Sequence, residues 1–381
     1  VRPSVGQAAG LPGALPGTTC LGTGVHGQGG GSNVLNVPGP CDALVPTPGA
    51  PDWSNAQREV LCRMRQIAHW WVDHQSKTGE FGGKLGDDVE LLRWWGPLCL
   101  AGDQKTLAGW QRLADGVWHS KRVDAGYARR VADVEHAAEF IADTAPLMAI
   151  YRDEPRYRQR LALSQDHFAS RWSGRTARGN RLFRSAWFSA TEVDTKRPKG
   201  RDVEYNTRAV QALRYLARRD PDPTLVKLLH EWSTTWAEAA LRTDKGKPKG
   251  LVPASIRFPD EAVNGDGTNW YQANMYWHYY EWKHHAGTLM FDQLLYTYLL
   301  TGDEKLLEPM HLALALIETE AGKVASQPRH NLPEGSPAWA AARLIEHQPF
   351  WDVVEQWRHL TGSSRWEELI LRHGSHYGRY R

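Results

Sequence analysis

Apolar residues recur at helical spacing over most of the chain from Asp52 onward. The stretch NAQREVLCRMRQIAHWWVDHQ puts Leu61, Met64, Ile67 and Trp71 on one stripe, the pattern of an amphipathic helix with one buried side. The same period predicts helices over 88–101, 104–119, 133–151, 154–171, 202–218, 222–242, 288–300, 303–319, 337–346, 350–360 and 364–373. Alternating, strand-like segments are sparse. RLFRSAWFSATEV (181–193) and GLVPASIRF (250–258) are the best of them, as short strands or long crossing loops.

Two repeats organise these helices. The turns LAGDQKTL (100–107), YRDEPRYR (151–158), ARRDPDPTL (217–225), LTGDEKLL (300–307) and LTGSSRWEEL (360–369) share one logic. A helix ends, Gly or a polar pair breaks it, Asp or Ser caps the next helix, and an apolar residue follows. Such turns join antiparallel helices. The tripeptide DVE opens three helical patterns, at Asp88, Asp133 and Asp202. Its spacings of 45 and 69 residues (133 − 88 and 202 − 133) are too uneven for a strict solenoid. Stacked hairpins with variable loops along one edge point to an α/α toroid.

The turn LTGDEKLLEPM, the aromatic loop WYQANMYWHYYEW and the acidic helix starts resemble the (α/α) toroid carbohydrate-active enzymes, the superfamily of six-hairpin glycosidases and toroid polysaccharide lyases. The resemblance covers residues 52–381. It implies an all-α fold, a complete or incomplete toroid of about five to seven helical hairpins. It further implies an inner ring of helices wrapped by an outer one, with the sugar in a cleft at the end that carries the long loops.

Composition adds bounds. Residues 1–51 stand apart as an extended arm or linker: positions 1–50 hold 12 Gly and 7 Pro, with only Arg2 and Asp42 charged. With 41% hydrophobic and 23% charged residues, the rest can bury a large core. A net charge of +3 excludes a dedicated nucleic-acid binder. No apolar run is long enough to span a membrane. The chain opens at Val1 without a basic-then-apolar leader and reads as a mature form or a fragment of a longer protein. We expect a secreted, periplasmic or cell-surface location. Cys20 and Cys41 flank a Gly-rich stretch and can pair, whereas Cys62 and Cys99 fall in helical patterns as buried thiols. The 18 Trp residues exceed what a core needs, and aromatic excess lines either sugar sites or the interior.

Candidate chemistry lies at the acidic helix starts. In GEFGGKLGDDVELLRWW, capping accounts for one Asp, but not for Asp87 and Asp88 together with Glu90, Trp94 and Trp95. Inverting glycosidases need an acid and a base roughly 6.5–9.5 Å apart. In ADVEHAAEF, Asp133 is the expected cap, Glu135 an acid, and His136 a base, a sugar ligand or a plain interior residue. In GRDVEYNTRAV, Glu204 is followed by Tyr205, Asn206 and Arg208. Toroid lyases neutralise a uronate with Asn or a cation, take its C5 proton with His or Tyr, and protonate the leaving oxygen with Tyr. Asn206, Tyr205, His136 and Arg184 are candidates for those parts. Trp187, Trp270, Tyr271, Trp277 and His278 join Trp94 and Trp95 as expected sugar contacts, with Tyr280 and Trp282 set aside as core. Asn264, Asp266 and Asn269 alternate like oxygen ligands of Ca2+, although the later bidentate Glu of an EF-hand is missing. The lysines of RTDKGKPKG form a solvated loop or draw in an anionic polysaccharide.

If alternate helices of a toroid point the same way, the acidic starts ring one mouth. That favours a glycoside hydrolase acting on a poly- or oligosaccharide through paired carboxylates. The alternatives are a lyase of uronic-acid glycans and a non-catalytic glycan-binding or self-assembling extracellular component.

Overall fold

The computed structural model describes residues 45–374 apart from 83, 84, 152, 276 and 277, and apart from the side chains of 85–87, 93, 150 and 278. Helix makes up 60% of the structure and strand 6%, so the chain is all-α. Most of the arm, residues 1–44, lies outside the described residues.

Helix α1 (Asp52–Asp73) packs on α3 (Leu92–Leu100) and α4 (Gln104–Trp118), with the short α2 (Leu85–Glu90) ahead of them. A tight hairpin, β1 (Val123–Asp124) and β2 (Tyr127–Ala128), leads to β3 (Ala132–Asp133), which runs directly into α5 (Val134–Ala142). Helices α6 (Ala145–Ile150) and α7 (Pro155–His167) follow, and α7 ends in a π-turn over Phe168–Trp172. The middle of the chain carries β4 (Ser173–Arg175), β5 (Arg181–Phe183), β6 (Trp187–Phe188) and β7 (Arg201–Asp202), then a 3-10 turn, Glu204–Arg208. Next come α8 (Gln211–Arg219), α9 (Pro223–Leu241), β8 (Ile256–Arg257), α10 (Trp282–His285), α11 (Thr288–Thr301), α12 (Glu308–Ser326), α13 (Pro337–Glu346), α14 (Gln348–Thr361) and α15 (Glu367–His373). The strands pair as two-stranded antiparallel ribbons: β1 with β2, β3 with β6, β4 with β5, and β7 with β8. Among the described residues no helix is long and apolar enough to cross a membrane.

The Gly–Asp turns behave alike. Gly102 and Gly302 adopt φ values of 87° and 71°, a conformation that ends a helix cheaply only in glycine. Asp103 then accepts the Thr106 N–H at the start of α4, and Asp303 accepts the Lys305 N–H ahead of α12. Each cap is also gripped by a histidine of an earlier helix, His69 Nε2 at 2.9 Å from Asp103 and His230 Nε2 at 2.8 Å from Asp303. The bond to His230 holds the Asp303 carboxyl below the usual carboxylate range. One continuous core cluster runs from Ala68 to Ile370, and Trp110, Trp172, Trp232, Trp236, Trp270, Trp282 and Trp351 are fully buried in it.

Several helix expectations shift, among them 88–101, which divides into α2 and α3. The first helix buries Cys62, Ala68 and Val72, while Ile67 faces outward. Cys62 is not a thiol but disulfide-bonded, its partner lying outside the described residues. Cys99 is buried and free, and burial, reinforced by Asp103, pushes its thiol up to about 12. The stretch 133–151 breaks at Asp143–Thr144 into α5 and α6. The stretch 202–218 is not one helix: Asp202 pairs as a strand residue with Ile256, and the helix proper starts at Gln211.

Candidate functional site

The site forms around the start of α5. Asp133 stands in β3 opposite Trp187 of β6 and caps α5 by accepting the Glu135 N–H at 3.2 Å. Its other oxygen lies 2.8 Å from His136 Nδ1, and the Tyr280 hydroxyl donates to Asp133 Oδ1 at 2.9 Å. The imidazole is thus oriented by a carboxylate, with Nε2 turned away from it. Helix α5 packs on α2 and on the 3-10 turn, which bring Glu90, Tyr205 and Arg208 to the same place. The Arg208 guanidinium sits 5.8 Å from the Tyr205 ring and donates to Asp143 at 3.2 Å. Tyr205 meets Tyr279 and Tyr280 edge-on, and Trp187 meets Tyr280 at 5.9 Å.

Glu139 lies one turn beyond Glu135 and His136, on the same helix face. Burial pushes its carboxyl up to about 7, with Glu90 and Glu135 reinforcing the shift and His136 and Arg208 opposing it. Glu135 is raised too, chiefly by burial, against the pull of Arg208 and His136. For His136 burial works downward, but the charge and hydrogen bond of Asp133 outweigh it and the net shift is up. Burial first, then Asp133, raises the Tyr280 hydroxyl, and burial raises that of Tyr205, so both are proton donors. His136 and Glu139 open onto a pocket of about 460 Å³ whose rim carries Lys121, Arg122, Arg129 and Arg130. A hollow of similar size, about 430 Å³, lies by Leu307, His311 and Trp357, and it is faced by Glu304, Glu308, Arg365 and a histidine whose pKa burial and Arg365 push down.

The expected site residues divide. Glu135, His136, Tyr205, Arg208 and Trp187 come together. Asp88 does not: it is buried inside α2 and accepts the Phe81 N–H at 3.1 Å, because the helix begins before it. Glu204 also turns away. It is buried, accepts the Leu289 N–H at 3.2 Å, and burial pushes it up to about 8 against the amides at the start of α11. Asn206 is fully buried and donates to Asp202 at 2.8 Å, so a sugar cannot reach its amide. Arg184 donates to the Ser173 carbonyl at 3.0 Å, away from α5. Trp270 is core, donating to the Gly335 carbonyl and packed on Trp282, with Tyr271 against Trp339 beside it. Trp95 is buried, whereas Trp94 is exposed. The side chains of Asp87, Trp277 and His278 lie outside the described residues.

The suggested Ca2+ loop is filled by the protein itself. Asp266 pairs with Arg257 and Arg197, Asn264 accepts from Asn274, and Asn269 Oδ1 accepts the N–H groups of Tyr271 and Gln272. Among the described residues, Asp133, Glu135 and His136 are the group whose ligand atoms fall within 4.8 Å of one another. Asp133 already accepts from Tyr280, His136 and a backbone amide, so a cation there must displace an oriented network.

Glu139 and the basic rim escaped the sequence reading. Glu139 was visible as the last acid of ADVEHAAEF, at i+4 from Glu135 and i+3 from His136. The rim is written as two basic pairs flanking a glycine turn, KRVDAGYARR. No family model, curated protein or solved structure matches the chain.

Proposed function

We propose that the chain is a carbohydrate-active enzyme that hydrolyses glycosidic bonds of an oligo- or polysaccharide at the α5 site. The observation that carries this is Glu139, a carboxyl kept protonated to about pH 7 beside two other glutamates and open to a pocket of sugar size. Glu139 gives its proton to the glycosidic oxygen as the bond to the anomeric carbon breaks. Glu135, whose carboxyl is raised by burial while Arg208 and His136 pull it back towards its charged form, takes the proton of the incoming water, whose hydroxyl bonds to that carbon. Neighbours at i and i+4 on a helix lie roughly 5–6 Å apart at Cβ, so the two side chains splay outward to reach the roughly 6.5–9.5 Å that a water-activating pair needs. The recurrent Gly–Asp hairpin turns support taking the helices as an α/α toroid, with this site at its loop-bearing end. Secretion fits the Cys62 disulfide.

The test is a glycan panel assayed for new reducing ends. Glu139→Gln abolishes release without unfolding the chain; full activity in that variant removes Glu139 from the mechanism. A second reading is favoured by the Asp133–His136 bond: elimination from a uronate, with His136 Nε2 taking the C5 proton and a tyrosine protonating the leaving oxygen. Products absorbing in the ultraviolet, lost in His136→Ala and kept in Glu139→Gln, select that reading over hydrolysis.

A further inference from the structure

We propose that the β1–β2 hairpin and the residues after it form an anion subsite, so that the glycan taken by this site carries carboxylate or sulfate groups. The glycan half of this rests on the cleavage reading above; the anion half rests on the hairpin.

The hairpin is built to hold its cations still. Tyr127 is fully buried, and its hydroxyl donates to the Ala209 carbonyl at 2.9 Å while accepting from Ser164 Oγ at 2.7 Å. Gly126 has φ 87°, and a Cβ there would come within 3.0 Å of Ile141 and Trp118, so the turn is seated against α5 and α4. Arg129 donates through Nε to the Lys121 carbonyl and through Nη2 to the Val123 carbonyl, both at 3.1 Å, which ties the far limb of the loop to the near one.

The charge is also unspent. Among the described residues, Arg129 has only Asp124, at 3.9 Å, within ion-pair range, and Lys121, Arg122 and Arg130 have no carboxylate partner. Several arginines elsewhere are paired, Arg156 with Asp115 and Glu154, Arg175 and Arg181 with Glu231, Arg257 with Asp260 and Asp266. The exposed ones without a carboxylate partner among the described residues, such as Arg112, Arg218, Arg365 and Arg372, do not gather round this pocket. Four cations around one concavity repel each other and focus a positive potential into it. The carboxyl in the pocket itself, Glu139, is half neutral near pH 7 and offsets them only in part. A volume of about 460 Å³ suits a sugar residue or two with its substituents, next to the acid Glu139. A nucleic acid would want a basic stripe longer than these four cations supply.

The experiment measures binding of the full chain to polygalacturonate, dextran sulfate and neutral dextran at about 50 mM and about 500 mM NaCl. Arg122→Gln/Arg130→Gln is the test variant, since neither side chain holds the fold. Lys196→Gln/Lys227→Gln is the charge-matched control. At low salt the wild type binds at least one polyanion about tenfold more tightly than neutral dextran; the test variant loses about tenfold, the control does not, and high salt narrows the gap. The two polyanions separate carboxylate from sulfate recognition. Equal binding of neutral dextran, an unchanged test variant, an equal loss in the control, or tighter binding of a DNA duplex each overturns the subsite. Glu139→Gln separates the two claims. If it binds polyanion normally and the arginine variant does not, yet no form cleaves any glycan, the subsite stands and the cleavage reading falls. If the arginine variant binds as wild type while Glu139→Gln abolishes cleavage, the reverse holds.

Discussion

Asp202 tests the division between acids that hold the fold and acids that face the pocket. Its carboxylate is fully buried and accepts four hydrogen bonds. Oδ2 takes the Phe183 N–H at 3.1 Å, the Trp232 indole at 2.7 Å and the Trp236 indole at 3.1 Å; Oδ1 takes the Asn206 amide at 2.8 Å. Asp202→Ala strands all four donors in a dry core. Each stranded donor costs about 1–3 kcal/mol, so even with relaxation the loss is on the order of 5 kcal/mol. That is a large share of the 5–15 kcal/mol that holds an ordinary domain together. Asp202→Asn behaves differently. Its oxygen can keep the three bonds of Oδ2, and its amide then faces Asn206, whose own Oδ1 is buried without a partner. A flip of the Asn206 amide pairs the two, and the cost drops to about 1 kcal/mol. The near-neutral character of the site agrees, since burial pushes the Asp202 carboxyl up to about 7 although four donors pull it down. Guanidinium unfolding followed by tryptophan fluorescence reads both variants. An Ala variant within about 1 kcal/mol of wild type refutes the reasoning, and so does an Asn variant as weak as the Ala variant. Any glycan cleavage found for the wild type persists in Asp202→Asn, because the residue faces the core.

Hydrolysis that depends on the Glu139 proton is fullest at mildly acidic pH and declines as pH rises through about 7, and a pH–rate profile flat across that range refutes the assignment. The same raised carboxyl contributes stability that is complete below the unfolded value near 4.5 and lost as pH climbs through about 7, so Glu139→Gln is relatively more stable at pH 8 than at pH 5. Asp133→Asn removes the charge that raises His136, so its imidazole titrates at lower pH by proton NMR; an unmoved midpoint would show that Asp133 does not set it. Gly126→Ala forces a side chain into φ 87° against Ile141 and Trp118, costing about 1–3 kcal/mol and displacing the hairpin, so polyanion binding weakens along with the melting temperature.

Local chemistry explains which features could be read from the chain. Gly102–Asp103 and Gly302–Asp303 declare their turns within a few residues, because a left-handed glycine and a capping aspartate act on neighbouring backbone. Asp133 was equally legible, and with it Glu135 and His136 at the helix start. What failed was anything decided across the fold. The third DVE reads like a helix start, yet Asp202 is fixed by β8, more than fifty residues later, and by two indoles of α9. The aromatic run after Asn269 reads like a sugar platform at Trp270 and Tyr271, yet Trp270 finds Trp339 on α13 and closes a core with Trp282, itself expected there. Periodicity shows that a residue has a buried side, not whether a glycan or another tryptophan covers it.

The two glutamates that follow these aspartates show why one tripeptide serves two ends. Both stand two residues past an Asp at the end of a strand, Glu135 after β3 and Glu204 after β7. After Asp133 a true helix begins at once, and the cap spends Asp133 on the Glu135 amide, leaving the Glu135 side chain at the rim among Arg208, His136 and Glu90. After Asp202 the chain takes a 3-10 turn instead, which carries Glu204 inward to the start of α11. There Gly287, at φ 74°, opens a helix with no side-chain cap of its own, and Glu204 accepts the exposed amides from across the fold. A helix start supplies positive potential, so a carboxylate placed there completes the structure. Burial raises both Glu204 and Glu139, but only Glu139 opens onto the pocket, so only its proton is available for chemistry. The difference lies in what each acid faces, and that is why Glu139, which opens onto the pocket rather than onto the amides of a helix start, is the residue on which the catalytic proposal stands.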